Sequence, residues 1–204
     1  MTWLVLSNGA EQHLSGPYAA QAQYTIESLA HQLAQINRYT GATRRPYSVA
    51  EHSLLCADLA ADAGHTPLVQ LCCLMHDAHE AITGDMASPV KWHLREAWSA
   101  FENPHALTLR RHFRLFSAFV AYRQQVHHCD LVALATERRE LLPYDPAVNA
   151  PWPVIDTPGQ QVPAADGYSL ASMWREQRHW TEWRDAFLER YHALAAKLDG
   201  GTAA

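Results

Sequence analysis

A chain of 204 residues, 48% hydrophobic and 18% charged, is long enough to bury its own core, which excludes disordered and fibrous classes and favours one domain over two. Sixteen Lys and Arg against 21 Asp and Glu leave a net charge of −5 with no long basic run, which argues against nucleic acid and anionic membrane as partners. No apolar stretch approaches the roughly 18 residues that a membrane span needs.

In chain order, residues 1–10 hold a short apolar patch without a basic lead or a cleavage site, so no export signal is expected. Residues 23–37 carry Ile26, Leu29, Ala30, Leu33 and Ile36 at three- and four-residue steps, the mark of an amphipathic helix. Gly41 and Pro46 break that pattern, and 38–46 reads as an ordered loop. Ser48 with Glu51 three residues on spells a capping box for a helix to 63, closed by Gly64. Pro67 suits the first turn of a helix over 67–82, ended by Gly84. A helix is expected over 90–101 with Pro104 as an interruption, then a long helical stretch over 106–142 broken once near Ser117.

Residues 143–167 hold six of the eleven prolines and read as a long loop, a length that in a compact domain points to function. A last helix over 170–198 offers Trp174, Trp183, Phe187, Tyr191 and Leu194 as its apolar stripe, and 200–204 is expected to fray. No strand is expected. The fold class is therefore all-α, a single domain over 1–204 with its core at about 23–142, a loop at 143–169 and a C-terminal helix at 170–198.

The four cysteines, Cys56, Cys72, Cys73 and Cys129, form no CxxC pair and read as packing thiols of a reducing, cytoplasmic protein. Thirteen histidines are a heavy load of the side chain that most often binds metal. The chemistry concentrates in Leu71 to Lys91, LCCLMHDAHEAITGDMASPVK. On a helix, His76 and Asp77 point about 100° apart, so they share an ion only if it lies between their directions. Glu80, three and four residues on, joins the same face, and Asp85 follows Gly84. His52 lies in VAEHSLL and Asp130 in HHCDLVALATE, both in apolar helical surroundings. Each of these alone fits a structural residue. Together, His52, His76, Asp77 and Asp130 come from three helices and make a set of two nitrogens and two oxygens suited to a divalent first-row metal, because buried carboxylates are costly unless paired or metal-bound.

The order His, then HD, then Asp, with GDMASPVK closing the HD stretch, resembles the HD-domain metal-dependent phosphohydrolases. Within them it is most similar to the branch of bacterial 5′-deoxynucleotidases and phage-type deoxynucleotide phosphohydrolases. The segments AQINRYTGATRR (34–45), YSVAEHSLL (47–55), LMHDAHEAITGD (74–85), SPVK (88–91) and HHCDLVALATERREL (127–141) carry the resemblance over about half the chain. It implies an HD-domain helical bundle with His52, His76, Asp77 and Asp130 as metal ligands and Glu80 as the carboxylate that activates or orients the attacking water. It implies Asp85 as an acidic residue near the phosphate and Arg38 as a phosphate contact. Position 39 holds a tryptophan in the deoxynucleotidases, where it crowds a 2′-hydroxyl; Tyr39 stands there in this chain, a departure that weakens the case for strict deoxyribose selectivity. Lys91 adds a movable charge for the phosphate.

The implied activity is cleavage of a (deoxy)nucleoside 5′-monophosphate to nucleoside and phosphate with a divalent metal (Mn, Co, Mg, Zn, Fe or Ni). Hydrolysis of a deoxynucleoside triphosphate and non-catalytic nucleotide binding are the alternatives. A small nucleotide is the expected partner, with residues 143–167 setting base preference, and the aromatic C-terminal helix leaves room for a homodimer. Thr43, Arg44 and Arg45 read either as a phosphate clamp or as a solvated loop pair. His79, His93, His127 and His128 read chiefly as structural or exposed, and Glu137, seven residues beyond Asp130 on the same face, has no role derivable from spacing.

Overall fold

Short-range signals start and stop most of the helices in the computed structural model, which describes residues 2–15 and 21–200, with only the backbone of Asp199 and Gly200. The expected fraying at 200–204 falls almost wholly outside the described residues. Helix α1 (Ile26–Leu33) is capped by Thr25, whose hydroxyl accepts from the Ser28 amide at 3.2 Å while Ser28 Oγ accepts from the Thr25 amide at 3.0 Å. That reciprocal cap satisfies two amides at the helix start and sets the beginning later than the periodicity alone predicts.

Ser48 caps α2 (Val49–Asp62) as expected, accepting from the Glu51 amide at 3.2 Å. The return arm of the box is missing because the Glu51 carboxylate is used elsewhere. Arg45 forks onto it at 2.5 and 2.8 Å, and Arg175 reaches it at 2.7 Å. Arg45 is therefore neither a phosphate clamp nor a solvated charge: it is buried, and its Nε also donates to the Leu170 carbonyl at 2.7 Å. This cluster ties the C-terminal segment to the start of α2.

The expected helix over 67–82 is two pieces. Helix α3 (Pro67–Met75) begins on a Thr66 cap with proline in its first turn, and α4 (Glu80–Thr83) ends at Gly84, whose φ of 74° suits a residue without Cβ. Between them the amides of Ala78, Glu80, Ala81 and Ile82 bond three residues back rather than four, a tighter winding than an α-helix. His76 Nδ1 takes the Cys73 carbonyl at 2.7 Å, the acceptor that the Asp77 amide would use if α3 continued. Glu80 is thus not on a continuous helical face with His76 and Asp77.

Helices α5 (Ser88–Leu94) and α6 (Glu96–His112) meet at Arg95, a non-glycine residue with φ of 51°, and α6 runs through Pro104 without stopping. The interruption expected at the proline falls nine residues earlier. Helices α7 (Phe116–Ala121) and α8 (Arg123–Leu141) follow, then the short α9 (Pro153–Asp156) within the long loop. The expected helix over 170–198 is divided at Arg178–His179 into α10 (Met173–Gln177) and α11 (Trp180–Gly200). Trp183, Phe187 and Leu194 are buried, whereas Trp174, placed in the same stripe by spacing, is 56% exposed because it lies beyond that break.

A hairpin of β1 (Trp3–Val5) and β2 (Glu11–His13) corrects the expectation of no strands. It pairs antiparallel with Leu4 opposite Gln12, turning through Gly9 at φ of 82°. Apart from this ribbon the fold is all-α. Helix α2 lies centrally, packed on α3, α8 and α11, while α11 also covers α1 and α3. The apolar cluster runs from Leu6 to Leu194. Helix α5 buries no side chain and leans on α6. Among the described residues no helix is long and apolar enough to cross a membrane.

Candidate metal centre

Three segments deliver the polar groups: α2 brings His52, the tight turn after α3 brings His76 and Asp77, and α8 brings Asp130. His52 Nδ1 faces Glu137 Oε1 at 2.5 Å, and His76 Nδ1 faces the Cys73 carbonyl at 2.7 Å. Both partners are acceptors, so each imidazole keeps a proton on Nδ1, and each Nε2 faces inward, where it donates to a carboxylate when protonated and offers a lone pair to a cation when not. The two Nε2 atoms lie 3.2 Å apart. Asp77 Oδ2 is 3.4 Å from His52 Nε2 and 3.2 Å from His76 Nε2, and Asp130 Oδ1 is 3.3 and 3.6 Å from the same atoms.

Nitrogen and oxygen atoms at these separations repel one another unless protons or a cation sit between. Bonds of about 2.0–2.2 Å to a first-row ion place neighbouring donors about 3–3.6 Å apart. The separations of the two Nε2 atoms from each other and from each carboxylate suit a bound divalent ion.

Charge follows the same logic. Burial opposes ionisation of Asp130, but hydrogen bonds from His52 and His76 outweigh it and hold the carboxyl below its usual range. Burial likewise opposes protonation of His76, and the charge of Asp77 overrides it, so the imidazole is raised. Without a cation, protons occupy this cluster.

Cys56, read from the sequence as packing, lies beside the centre, with Sγ 3.6 Å from His52 Nε2 and 3.9 Å from His52 Nδ1. Its sulfur, with the donor atoms of His52, His76 and Asp130, falls in a group within 4.8 Å that could hold a metal. Near-equal distances to the two ring nitrogens set the sulfur alongside the imidazole, not beyond Nε2 where an ion would lie. Burial also pushes the thiol up. The sulfur therefore packs on the ring face, whereas Asp77, which forms a second such group with His79 and Glu80, brings Oδ2 to 3.4 and 3.2 Å from the two Nε2 atoms.

Behind the centre stands Glu137, fully buried. Its Oε1 accepts from His52 and, at 2.8 Å, from the Tyr47 hydroxyl; Oε2 accepts from the Tyr39 hydroxyl at 2.5 Å and lies 3.4 Å from Arg38 Nε. Burial opposes its charge, but Arg38 and His52 prevail and bring the carboxyl down to about 2. Its seven-residue spacing from Asp130 was visible in the sequence; its role needed the fold. A carboxylate behind a ligating histidine fixes tautomer and ring orientation.

Arg38 Nη1 lies 3.5 Å from both Asp77 Oδ2 and Asp85 Oδ1. Tyr39 and Thr40 follow at φ of 55° and 50°, left-handed conformations that side chains rarely adopt, and Asp85 Oδ2 accepts the Tyr39 amide at 3.1 Å. The Tyr39 hydroxyl is engaged by Glu137, while its ring lines the cleft. Glu80 is buried, and its Oε2 has no hydrogen-bond partner. Burial, then the charges of Asp77 and Asp85, push its carboxyl well above the carboxylate range. Lys91 Nζ sits 2.8 Å from Glu102 and 3.7 Å from Glu80. His79 is buried against Glu102 at 3.3 Å, while His93, His127 and His128 are exposed away from the centre.

These groups floor a cleft of about 730 Å³, lined by Arg38, Asp77, Glu80, Asp85, Lys91 and Asp130 on its polar side. The rest of its lining is largely apolar, much of it from residues 142–154. All nine residues singled out in the sequence thus belong to one site, seven on the cleft wall and His52 and His76 beneath it.

No protein-family model matches the chain. It is 28% identical over 208 residues to an uncharacterized protein of Rhodobacter capsulatus, covering 97% of this chain and 98% of that one. It is also 28% identical over 170 residues to the uncharacterized protein YfdR of Escherichia coli, covering 83% and 84% of the two chains. A helical fold with a buried His, Cys and Asp group that could hold a metal is compatible with an HD domain.

Proposed function

We propose that this chain is an HD-type metal-dependent phosphohydrolase that cleaves a (deoxy)nucleoside 5′-monophosphate to nucleoside and phosphate. The observation that carries the reading is the approach of two inward imidazole Nε2 atoms to each other and to a carboxylate oxygen of Asp77 and of Asp130 at 3.2–3.6 Å, beside a cleft that also holds Arg38 and Lys91. A divalent cation held by His52, His76, Asp77 and Asp130 supplies Lewis acidity at a phosphoryl oxygen and at water.

The chain's own residues do the rest. Glu137 and the Cys73 carbonyl hold the two imidazoles in the tautomer that offers Nε2. Glu80, with one oxygen unpartnered, aims the attacking water or takes its proton. Arg38, braced by Asp77, Asp85 and Glu137, offsets the negative floor that would otherwise repel a phosphate. Lys91, anchored to Glu102, brings a second positive charge to the cleft wall. Asp85 holds the Arg38–Tyr39 turn in place.

The test is incubation of the protein with Mn²⁺, Co²⁺ or Mg²⁺ and a panel of nucleoside mono- and triphosphates. Phosphate release from monophosphates supports the reading. Tripolyphosphate from deoxynucleoside triphosphates would replace it, and nucleotide-dependent thermal stabilisation without turnover would make the chain a non-catalytic binder.

A further inference from the structure

The apolar wall of the cleft is built from rings. Tyr39, Tyr144 and Trp152 all line it. The Trp152 indole lies stacked on Tyr39 at 6.4 Å and 30°, and meets Tyr144 at 5.9 Å and 69°. Core packing does not explain them: the loop's buried anchor is Ile155, at 1% exposure, whereas Tyr144 and Trp152 stay half-buried.

The loop that carries them is locked. Arg138 forks onto Asp156 at 2.5 and 2.8 Å, and the same carboxylate accepts the Trp152 amide at 2.6 Å. The Arg138 guanidinium lies 4.3 Å from the Tyr144 ring centre and 5.2 Å from that of Trp152. The Val162 amide closes back on the Ile155 carbonyl at 2.9 Å. Pro143, Pro151 and Pro153 on the cleft wall restrict the backbone further. A wall fixed before a ligand arrives loses little freedom on binding.

We propose that this wall is a nucleobase subsite, in which Trp152 and Tyr144 hold the planar heterocycle of the substrate while its phosphate lies at the polar floor. The inference rests on the phosphohydrolase reading and deepens it. An apolar aromatic face in the same cleft as Arg38, Lys91 and the candidate metal centre matches a molecule with a flat heterocycle at one end and a phosphate at the other. A sugar phosphate or an alkyl phosphate has nothing for the wall to hold. Stacking is tolerant of base identity, so the subsite selects nucleotides as a class over other phosphate esters.

The experiment compares a nucleoside 5′-monophosphate with ribose 5-phosphate on the metal-loaded wild type, Trp152→Ala and Tyr144→Ala. Metal stoichiometry of each variant checks that the centre has survived. The wild type is expected to favour the nucleotide in kcat/KM by about tenfold or more, the size of one base–aromatic stack. Either substitution is expected to shrink that ratio, chiefly through KM for the nucleotide. Equal use of both substrates by the wild type, or an unchanged ratio in both variants, overturns the subsite and leaves the phosphohydrolase reading standing. If neither ester is cleaved, that reading fails, and calorimetry with nucleoside against ribose decides the subsite: preference for nucleoside that is lost in Trp152→Ala supports it, and no preference overturns it.

Discussion

Replacing Glu137 by glutamine removes one charge from a side chain that accepts from His52 Nδ1 at 2.5 Å, Tyr47 at 2.8 Å and Tyr39 at 2.5 Å, with Arg38 Nε 3.4 Å away. An amide keeps the shape but has one oxygen and one NH₂ where the carboxylate had two acceptors. If its NH₂ faces Arg38, two donors oppose each other. If it faces His52 Nδ1, the imidazole must move its proton to Nε2, the nitrogen turned toward Asp77 and Asp130. Either arrangement is costly. Hydrogen bonds to charged groups contribute about 1.5–3 kcal/mol, and breaking a buried ionic cluster from one side costs about 3–5 kcal/mol. We expect Glu137→Gln to lose a few kcal/mol of stability in urea and to bind Mn²⁺ or Co²⁺ about 10- to 100-fold more weakly. Competition against a chromophoric chelator reads the affinity. Wild-type affinity and midpoint would refute the claim that Glu137 orients His52.

Glu80→Ala should keep the metal and lose most of the rate, about 100-fold or more for a general base; full activity would remove Glu80 from the chemistry. Cys56→Ala should leave metal stoichiometry at the wild-type value, with only a packing loss in stability; loss of the ion would make the sulfur a donor. Despite its burial, Glu102, with its side chain 16% exposed, is held down to about 2 by His79 and Lys91. Since its folded value lies below the unfolded one, its contribution is complete above about pH 4.5 and fades as the pH falls toward 2. The stability gap between wild type and Glu102→Gln, about 1–3 kcal/mol at pH 6, should close over that window; a gap independent of pH would count against the ion pair.

The start of α2 was legible because Ser48 is a local signal, as was the break after Gly64, a residue at φ of 73°. The division of α3 from α4 was not, because it depends on His76 Nδ1 capturing the Cys73 carbonyl, a contact that hydrophobic periodicity does not encode. Arg95 in place of Pro104 as the break in α5–α6 is a backbone conformation for which the structure offers no side-chain cause. The hairpin at 3–13 is built of three-residue strands, too short for alternation to show. At the centre, residue types and spacings singled out His52, His76, Asp77 and Asp130 as a chemical pattern, and the fold brings the four side chains together; that they ligate an ion is the proposal. Glu137 and the Tyr39 hydroxyl were not assignable, because their roles are contacts spanning 85 and 98 residues of chain. The aromatic wall was legible only as a proline-rich loop; the Arg138–Asp156 fork that positions it joins α8 to the loop only in three dimensions.

The most direct measurement is metal content by elemental analysis after loading and gel filtration, on wild type and Asp77→Ala side by side. One equivalent of divalent ion per chain in the wild type, and near none in the variant with its helical signal intact, is the expected pair of values. A folded wild type that retains no ion, or an Asp77→Ala protein that retains it undiminished, would mean that the cluster of His52, His76, Asp77 and Asp130 is held by protons alone.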